Sequence, residues 1–254
     1  MNAKAYQTAI ANVVTALHAQ NSLNSRLDKE WHLKGWPYYR AAWTEMTEAI
    51  EHLNWFWWKQ GTFGRPMSDS QVAQVHMELV DVLHFGLSMH VIDAYAPETI
   101  FADRIHWKAE YLVKCFDKVE GQSNSLVQNM ERFVSYTIAS EEFEVAQFAV
   151  VCQAAGLTLP RLLLMYFAKQ TLNTLRWNNG YDLLKTDPDV YVKMWPSTAD
   201  RKLLVEDNVH LVEVLNEASS SKFPYGTVMD ALADGSLVEY LYGRLSDRYS
   251  LRNI

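Results

Sequence analysis

A chain of 254 residues, 49% hydrophobic and 21% charged, is long enough to bury the core of one large domain or two small ones. Its formal net charge of -7 argues against broad electrostatic binding to nucleic acid or to an anionic membrane. Cys115 and Cys152, the two cysteines, sit in apolar helical contexts and read as buried thiols in a reducing compartment, not as a disulfide framework. No apolar run approaches the roughly 20 residues of a membrane span, and the first residues lack a signal-peptide pattern, so a cytoplasmic protein is the expectation.

Apolar residues recur at helical spacing almost throughout, which predicts an all-α fold. A first helix is expected from Ala3 to about Asn21. A second opens at Pro37 and runs to about Lys59, until Gly61, Gly64 and Pro66 break the chain. Ser68 with Gln71 makes a capping box for a third helix, to about Tyr95. Pro97 separates it from a fourth, Glu98 to about Val119. A linker over 121–125 leads to helical stretches from Ser125 to about Ile138 and from Glu141 to Ala155. Gly156 stops the latter, and Pro160 opens a strong helix to about Asn178. A polar segment with Pro188 and Pro196 follows, then a helix from about Thr198 to Ala218, the linker SSSKFPYG, and a last helix near 236–249.

Two carboxylate pairs stand out. Glu48 and Glu51 lie one turn apart on the second helix, and Glu78 and Asp81 repeat that spacing on the third. Around Glu78 and Asp81 the chain reads HMELVDVLHFG, apolar enough to be largely buried, and buried carboxylates are costly unless paired or bound to metal. Two such helices packed antiparallel would aim four acids into one gap, an all-oxygen cage suited to Mg²⁺. Each motif alone also fits a solvated helix face. Glu45 extends the first series but is rotated from Glu51 by about 120° on a helix, and is expected outside the cage.

The helix after Pro160 carries a polar stripe: Lys169, Asn173 and Arg176 at i, i+4 and i+7. Two cations and an amide on an otherwise apolar helix suit phosphate oxygens, although the stripe of an ordinary amphipathic helix would look the same. Together the acids and the stripe describe Mg²⁺-dependent attack of water on a polyphosphate.

These residues, taken as ordered blocks over about 17–210, resemble the dimeric all-α dUTPase family, related to the MazG-type nucleotide pyrophosphatases and common in phages. The blocks are Gln20-Asn-Ser-Leu-Asn24, then Glu48-Ala-Ile-Glu51 with Trp55-Phe-Trp57-Trp58-Lys59, then Glu78-Leu-Val-Asp81-Val-Leu-His84-Phe85. They continue with Gly156-Leu157, Tyr166, Lys169, Asn173, Arg176 and Gly180-Tyr181, and end with Tyr191-Val-Lys193-Met-Trp195 and Glu206-Asp207-Asn208. The resemblance implies a helical bundle of the all-α pyrophosphatase type over 1–218, with an insert at about 98–145 and a C-terminal extension over 219–254. It implies a homodimer that cleaves a deoxynucleoside triphosphate, dUTP first, to monophosphate and pyrophosphate. Glu48, Glu51, Glu78 and Asp81 would bind Mg²⁺, and Glu48 would activate the water. Asn24, with Gln20 or Asn21, would read the base edge. Trp57 would stack on the pyrimidine with Lys59 beside it, while Trp55 and Trp58 pack core or interface. Lys169, Arg176, Lys193 and Asn208 would hold phosphates, with Asn173 and Tyr181 nearby. His84 is expected to pack or to support the ligands from behind.

Two departures touch the base choice. Asn21 stands where the family has a glutamine, with Gln20 one residue earlier, and the spacing between the glutamate pair and the tryptophans is short. An asparagine amide can flip to serve uracil or cytosine, so dCTP or a 5-hydroxymethylated pyrimidine triphosphate is the alternative substrate. A non-catalytic helical interaction protein is the alternative of another class. A di-iron bundle is disfavoured, because neither Glu48 nor Glu78 is followed by histidine at i+3. If the chain is phage-encoded, its compartment is the host cytoplasm.

Overall fold

The computed structural model describes residues 1–59, 61, 63–98, 100–119, 124–181, 193–222, 231 and 234–250. Pro188, Tyr191, the linker residues 121–123 and the FPYG part of the later linker lie outside the described residues. The chain divides into two compact units, Met1–Tyr166 and Phe167–Ile254.

The first unit holds α1 (Ala3–Leu27), a 3-10 turn (Trp31–Leu33), α2 (Tyr38–Glu51), α3 (Asp69–Ala94), α4 (Phe101–Asp117), α5 (Leu126–Ser140) and α6 (Val145–Ala154), and the unit boundary falls inside α7 (Leu159–Asn178). The all-α expectation is met. Local chemistry sets the ends. The Ser68–Gln71 capping box opens α3, and a second box, Ser125 with Gln128, opens α5. Gly156 in the left-handed region closes α6, and the Leu157 N–H returns to the Cys152 carbonyl at 2.8 Å. Cys152 is buried and Cys115 half-buried, both free thiols, and burial raises the pKa of each.

α2 and α3 form an antiparallel pair with a readable register. Tyr38 meets Phe85 ring to ring at 6.3 Å, Glu45 reaches Glu78, and the Gln71 amide donates to the His52 carbonyl at 2.9 Å. Each step is seven residues along α2 and seven back along α3, just under two turns, so one face of each helix carries all three contacts. Behind it Val75, Leu79, Val80, Leu83 and Leu87 are fully or almost fully buried. Gly86 is required there: a Cβ would stand 2.6 Å from the Phe143 ring.

Three expectations need correction. α1 continues past Asn21 to Leu27, so Asn24 is helical. α2 ends at Glu51, not near Lys59, and the aromatic tract Trp55–Lys59 lies in the following loop. Asn54 organises that loop: its carbonyl takes the Gly64 N–H at 3.1 Å, and its side chain bonds the Arg65 and Pro66 carbonyls and the Gln71 amide. The first part of the helix expected from Thr198 is instead the turn and second strand of a two-stranded antiparallel hairpin, β1 (Met194–Pro196) with β2 (Leu204–Glu206).

In the second unit the hairpin leads into α8 (Asp207–Glu217) and a π-turn to Lys222, and α9 (Ser236–Ser250) packs on α8. Trp195 is fully buried between His210 (5.1 Å) and Tyr249 (5.3 Å). Arg248 ties the two helices through Glu213 and Glu217. Among the described residues no single helix is long and apolar enough to cross a membrane.

Candidate active site

The acids come first. Glu45, Glu78 and Asp81 each bring a carboxylate oxygen within 4.8 Å of the other two, all three half-buried. The geometry thus groups Glu45, expected outside the cage, with Glu78 and Asp81, while Glu48 and Glu51 are not in this group. The register explains it. Glu45 lies level with Glu78, whereas Glu48 lies level with Val75 and Glu51 with Val72, about 4.5 and 9 Å nearer the loop on a helix rising ~1.5 Å per residue. Glu48 and Glu51 are both exposed, and Glu51 is the last residue of α2. The pair Glu45–Glu48 has the same i, i+3 spacing and stands three residues further from Trp55. His52 Nε2 lies 3.4 Å from Glu78 Oε1. A set of carboxylate oxygens in half-buried surroundings fits a hard divalent cation.

On α1, Gln20 and Asn24 are buried and Asn21 half-buried. Gln20 Nε2 donates to Asn24 Oδ1 at 3.0 Å and Ser88 Oγ at 3.1 Å, and Asn24 Nδ2 donates to Ser88 Oγ at 2.9 Å. Gln20 Oε1 meets His84 Nδ1 at 2.9 Å and the Tyr166 hydroxyl at 3.0 Å, and that hydroxyl is shared with the Ala16 carbonyl, also at 3.0 Å. His84 thus supports this amide group. Asn21 points elsewhere: it bonds the Tyr95 hydroxyl at 2.9 Å and accepts from Trp31 Nε1 at 3.2 Å. Of the three amides, Gln20 and Asn24 share one network and Asn21 belongs to another. Trp57 is 73% exposed and packs edge-on to Trp58, while Trp55 is half-buried with its Nε1 on the Ile50 carbonyl. Lys59 Nζ sits 3.8 Å from the centre of the Phe56 ring.

The second unit gathers every expected phosphate residue. Lys169, 4% exposed, donates to Asn208 Oδ1 at 3.2 Å. Arg176 Nε and Nη2 donate to Asp207 Oδ2 and Oδ1 at 2.9 and 2.8 Å, and Nη1 donates to Asn173 Oδ1 at 2.9 Å. The Tyr181 ring has the Arg176 guanidinium at 5.9 Å and the Lys193 ammonium at 5.6 Å. The Asp207 N–H donates to the Lys193 carbonyl at 2.7 Å, which joins the start of α8 to the hairpin. Arg176, expected as a direct phosphate ligand, is committed to Asp207 and Asn173. Lys193 is exposed.

The sequence pattern sets Glu45 aside and gives no role to Ser88 or Asp207. Glu45 had a signal, since Glu45-x-x-Glu48 repeats the spacing used for Glu48-x-x-Glu51. Asp207 stood inside a quoted block without a role. Ser88 had none, because a lone serine in an apolar helix carries no pattern.

A helical protein with a carboxylate triad and a separate cluster of cations and amides has the parts of a nucleotide hydrolase. Comparison with family models gives the finer identity: residues 12–181, about two thirds of the chain, match the model of the dUTPase family, described as dUTPase. The chain belongs to this all-α dUTPase family and is a dUTP diphosphatase-like hydrolase. The match includes the acids, the amide network and the Lys169–Tyr181 stripe, and it ends before Lys193 and Asn208. No curated protein matches the chain.

Proposed function

We propose that this chain cleaves a deoxypyrimidine nucleoside triphosphate, dUTP first, to the monophosphate and pyrophosphate, and that the reaction uses Mg²⁺. The observation that carries the reading is the Glu45–Glu78–Asp81 triad, whose oxygens lie within 4.8 Å of one another on two registered helices. These residues would hold the cation, which when bound neutralises phosphate charge and lowers the pKa of a water. Glu48, one turn along α2 and exposed, would take a proton from the attacking water. Asn24 meets the base edge, braced by Gln20, and Trp57 offers a ring face for stacking. Lys169, Lys193 and Asn208 hold phosphate oxygens, with Arg176 and Asn173 fixing Asn208 and Tyr181 in place. The protein works as a homodimer in the cytoplasm.

Pyrophosphate release from dUTP, dCTP, dTTP and 5-hydroxymethylated pyrimidine triphosphates, with and without Mg²⁺, tests this reading. Mg²⁺-dependent release from dUTP supports it in full. Release mainly from another pyrimidine keeps the mechanism and changes the substrate. Release from none overturns it in favour of a non-catalytic protein.

A further inference from the structure

We propose that Ser88 decides which pyrimidine is selected, by fixing the direction of the Asn24 amide. The inference rests on the reading that Asn24 meets the base edge. Ser88 is fully buried on α3, and its hydroxyl donates to the His84 carbonyl one turn back, at 2.9 Å. A carbonyl only accepts, so that bond consumes the hydroxyl proton and leaves Ser88 Oγ as an acceptor. It accepts twice, from Gln20 Nε2 and from Asn24 Nδ2. Gln20 is held from its other end too, where His84 Nδ1 adjoins Oε1 at 2.9 Å; the Tyr166 hydroxyl, with one proton, lies 3.0 Å from both this oxygen and the Ala16 carbonyl. With Nε2 of Gln20 turned toward Asn24, the Asn24 oxygen must face it, as the 3.0 Å bond shows. Turning Asn24 over would set its oxygen against Ser88 Oγ and its NH₂ against the NH₂ of Gln20. Two buried bonds would be lost and two like contacts made.

The pinned amide keeps one N–H and one lone pair beyond these bonds, in a fixed order. Uracil presents a carbonyl acceptor beside an N–H donor, and cytosine presents an amino donor beside a ring-nitrogen acceptor. For one placement of the ring, an amide that cannot turn over matches only one of them. The selectivity therefore resides in the serine that the base never touches.

The test is the ratio of kcat/KM for dUTP and dCTP, measured by pyrophosphate release in the native protein, Ser88→Ala and Tyr166→Phe. A ratio cancels any loss of correctly folded enzyme. The native ratio should lie at least about tenfold from unity, and Ser88→Ala should move it toward unity by about tenfold or more. Tyr166→Phe should hold the native ratio, because His84 and Ser88 still orient Gln20. A native ratio near unity, an unmoved ratio in Ser88→Ala, or an equal collapse in Tyr166→Phe would each overturn the assignment. A native protein that neither turns over these triphosphates nor binds dUMP or dCMP would sink the underlying reading as well. That result is distinct from an active enzyme whose ratio does not move.

Discussion

Arg176 lies side-on to Asp207, with Nε to Oδ2 at 2.9 Å and Nη2 to Oδ1 at 2.8 Å, and both side chains are almost sealed from solvent. This two-pronged geometry is the strongest a guanidinium makes with a carboxylate, and burial makes either partner costly to leave alone. It also ties the end of α7 to the first residue of α8. Asp207→Ala should destabilise the protein by about 3–5 kcal/mol in urea melts. The double variant Arg176→Met/Asp207→Leu should regain much of that loss, because no uncompensated charge remains. If Arg176 instead served phosphate alone, Asp207→Ala would raise KM and leave the melt unchanged.

Glu45→Gln should abolish turnover while the apo protein melts no lower than the native one, because repulsion within the triad is relieved. The native protein should gain stability on Mg²⁺ addition, by about 2.7 kcal/mol at a hundred times Kd. Glu45→Gln, Glu78→Gln and Asp81→Asn should each lose most of that gain, and Glu51→Gln should keep both the gain and the activity. Thermal shift against Mg²⁺, paired with pyrophosphate release, reads both effects. Inactive Glu51→Gln beside active Glu45→Gln would restore the cage expected from spacing alone.

The choice among Glu45, Glu48 and Glu51 marks where the sequence stops being informative. The helices were readable because apolar period and caps act locally: Ser68 and Gln71 announce the start of α3 within four residues. The end of α2 was not, because nothing between Glu51 and Gly61 breaks a helix by propensity, and the loop is closed by Asn54 reaching residues ten and more away. The three-residue strands of the hairpin are too short to show a period. The acids were found as a class, but Glu45, Glu48 and Glu51 form two overlapping pairs of identical spacing. Only the interhelical register chooses between them. The stripe Lys169–Asn173–Arg176 was likewise visible, whereas the partner of Arg176, 31 residues on, was not.

His90 gives the acid limb of stability. It is buried on α3, edge-on to Phe143 at 5.7 Å, with Lys108 and Asp93 the charged groups that act on it. Burial first, and Lys108 second, push its pKa down to about 3. The unfolded chain, with an ordinary histidine pKa near 6.5, therefore binds a proton that the folded chain refuses between about pH 6.5 and 3. Stability is held above that window and falls as pH drops through it. His90→Leu should flatten this part of a stability-against-pH curve measured by urea melts. A curve as steep as the native one would assign the acid limb to other groups.

Trp57 separates binding from packing more cleanly than the sequence allowed. Its neighbours in the tract are tied down: Trp55 bonds the Ile50 carbonyl, and Phe56 carries the Lys59 ammonium. Trp57 is 73% exposed and meets Trp58 edge to face, so it is not a core residue of this chain. Removing so exposed a ring should change the melt by less than about 0.5 kcal/mol. If the ring stacks on the pyrimidine, Trp57→Ala should raise KM by about tenfold or more, the effect of losing 1–3 kcal/mol of base stacking. Trp57→Phe, which keeps a smaller face, should fall between. An unchanged KM in Trp57→Ala would move the stacking role to another aromatic side chain, while the exposed ring would remain a surface feature of the loop that Asn54 holds.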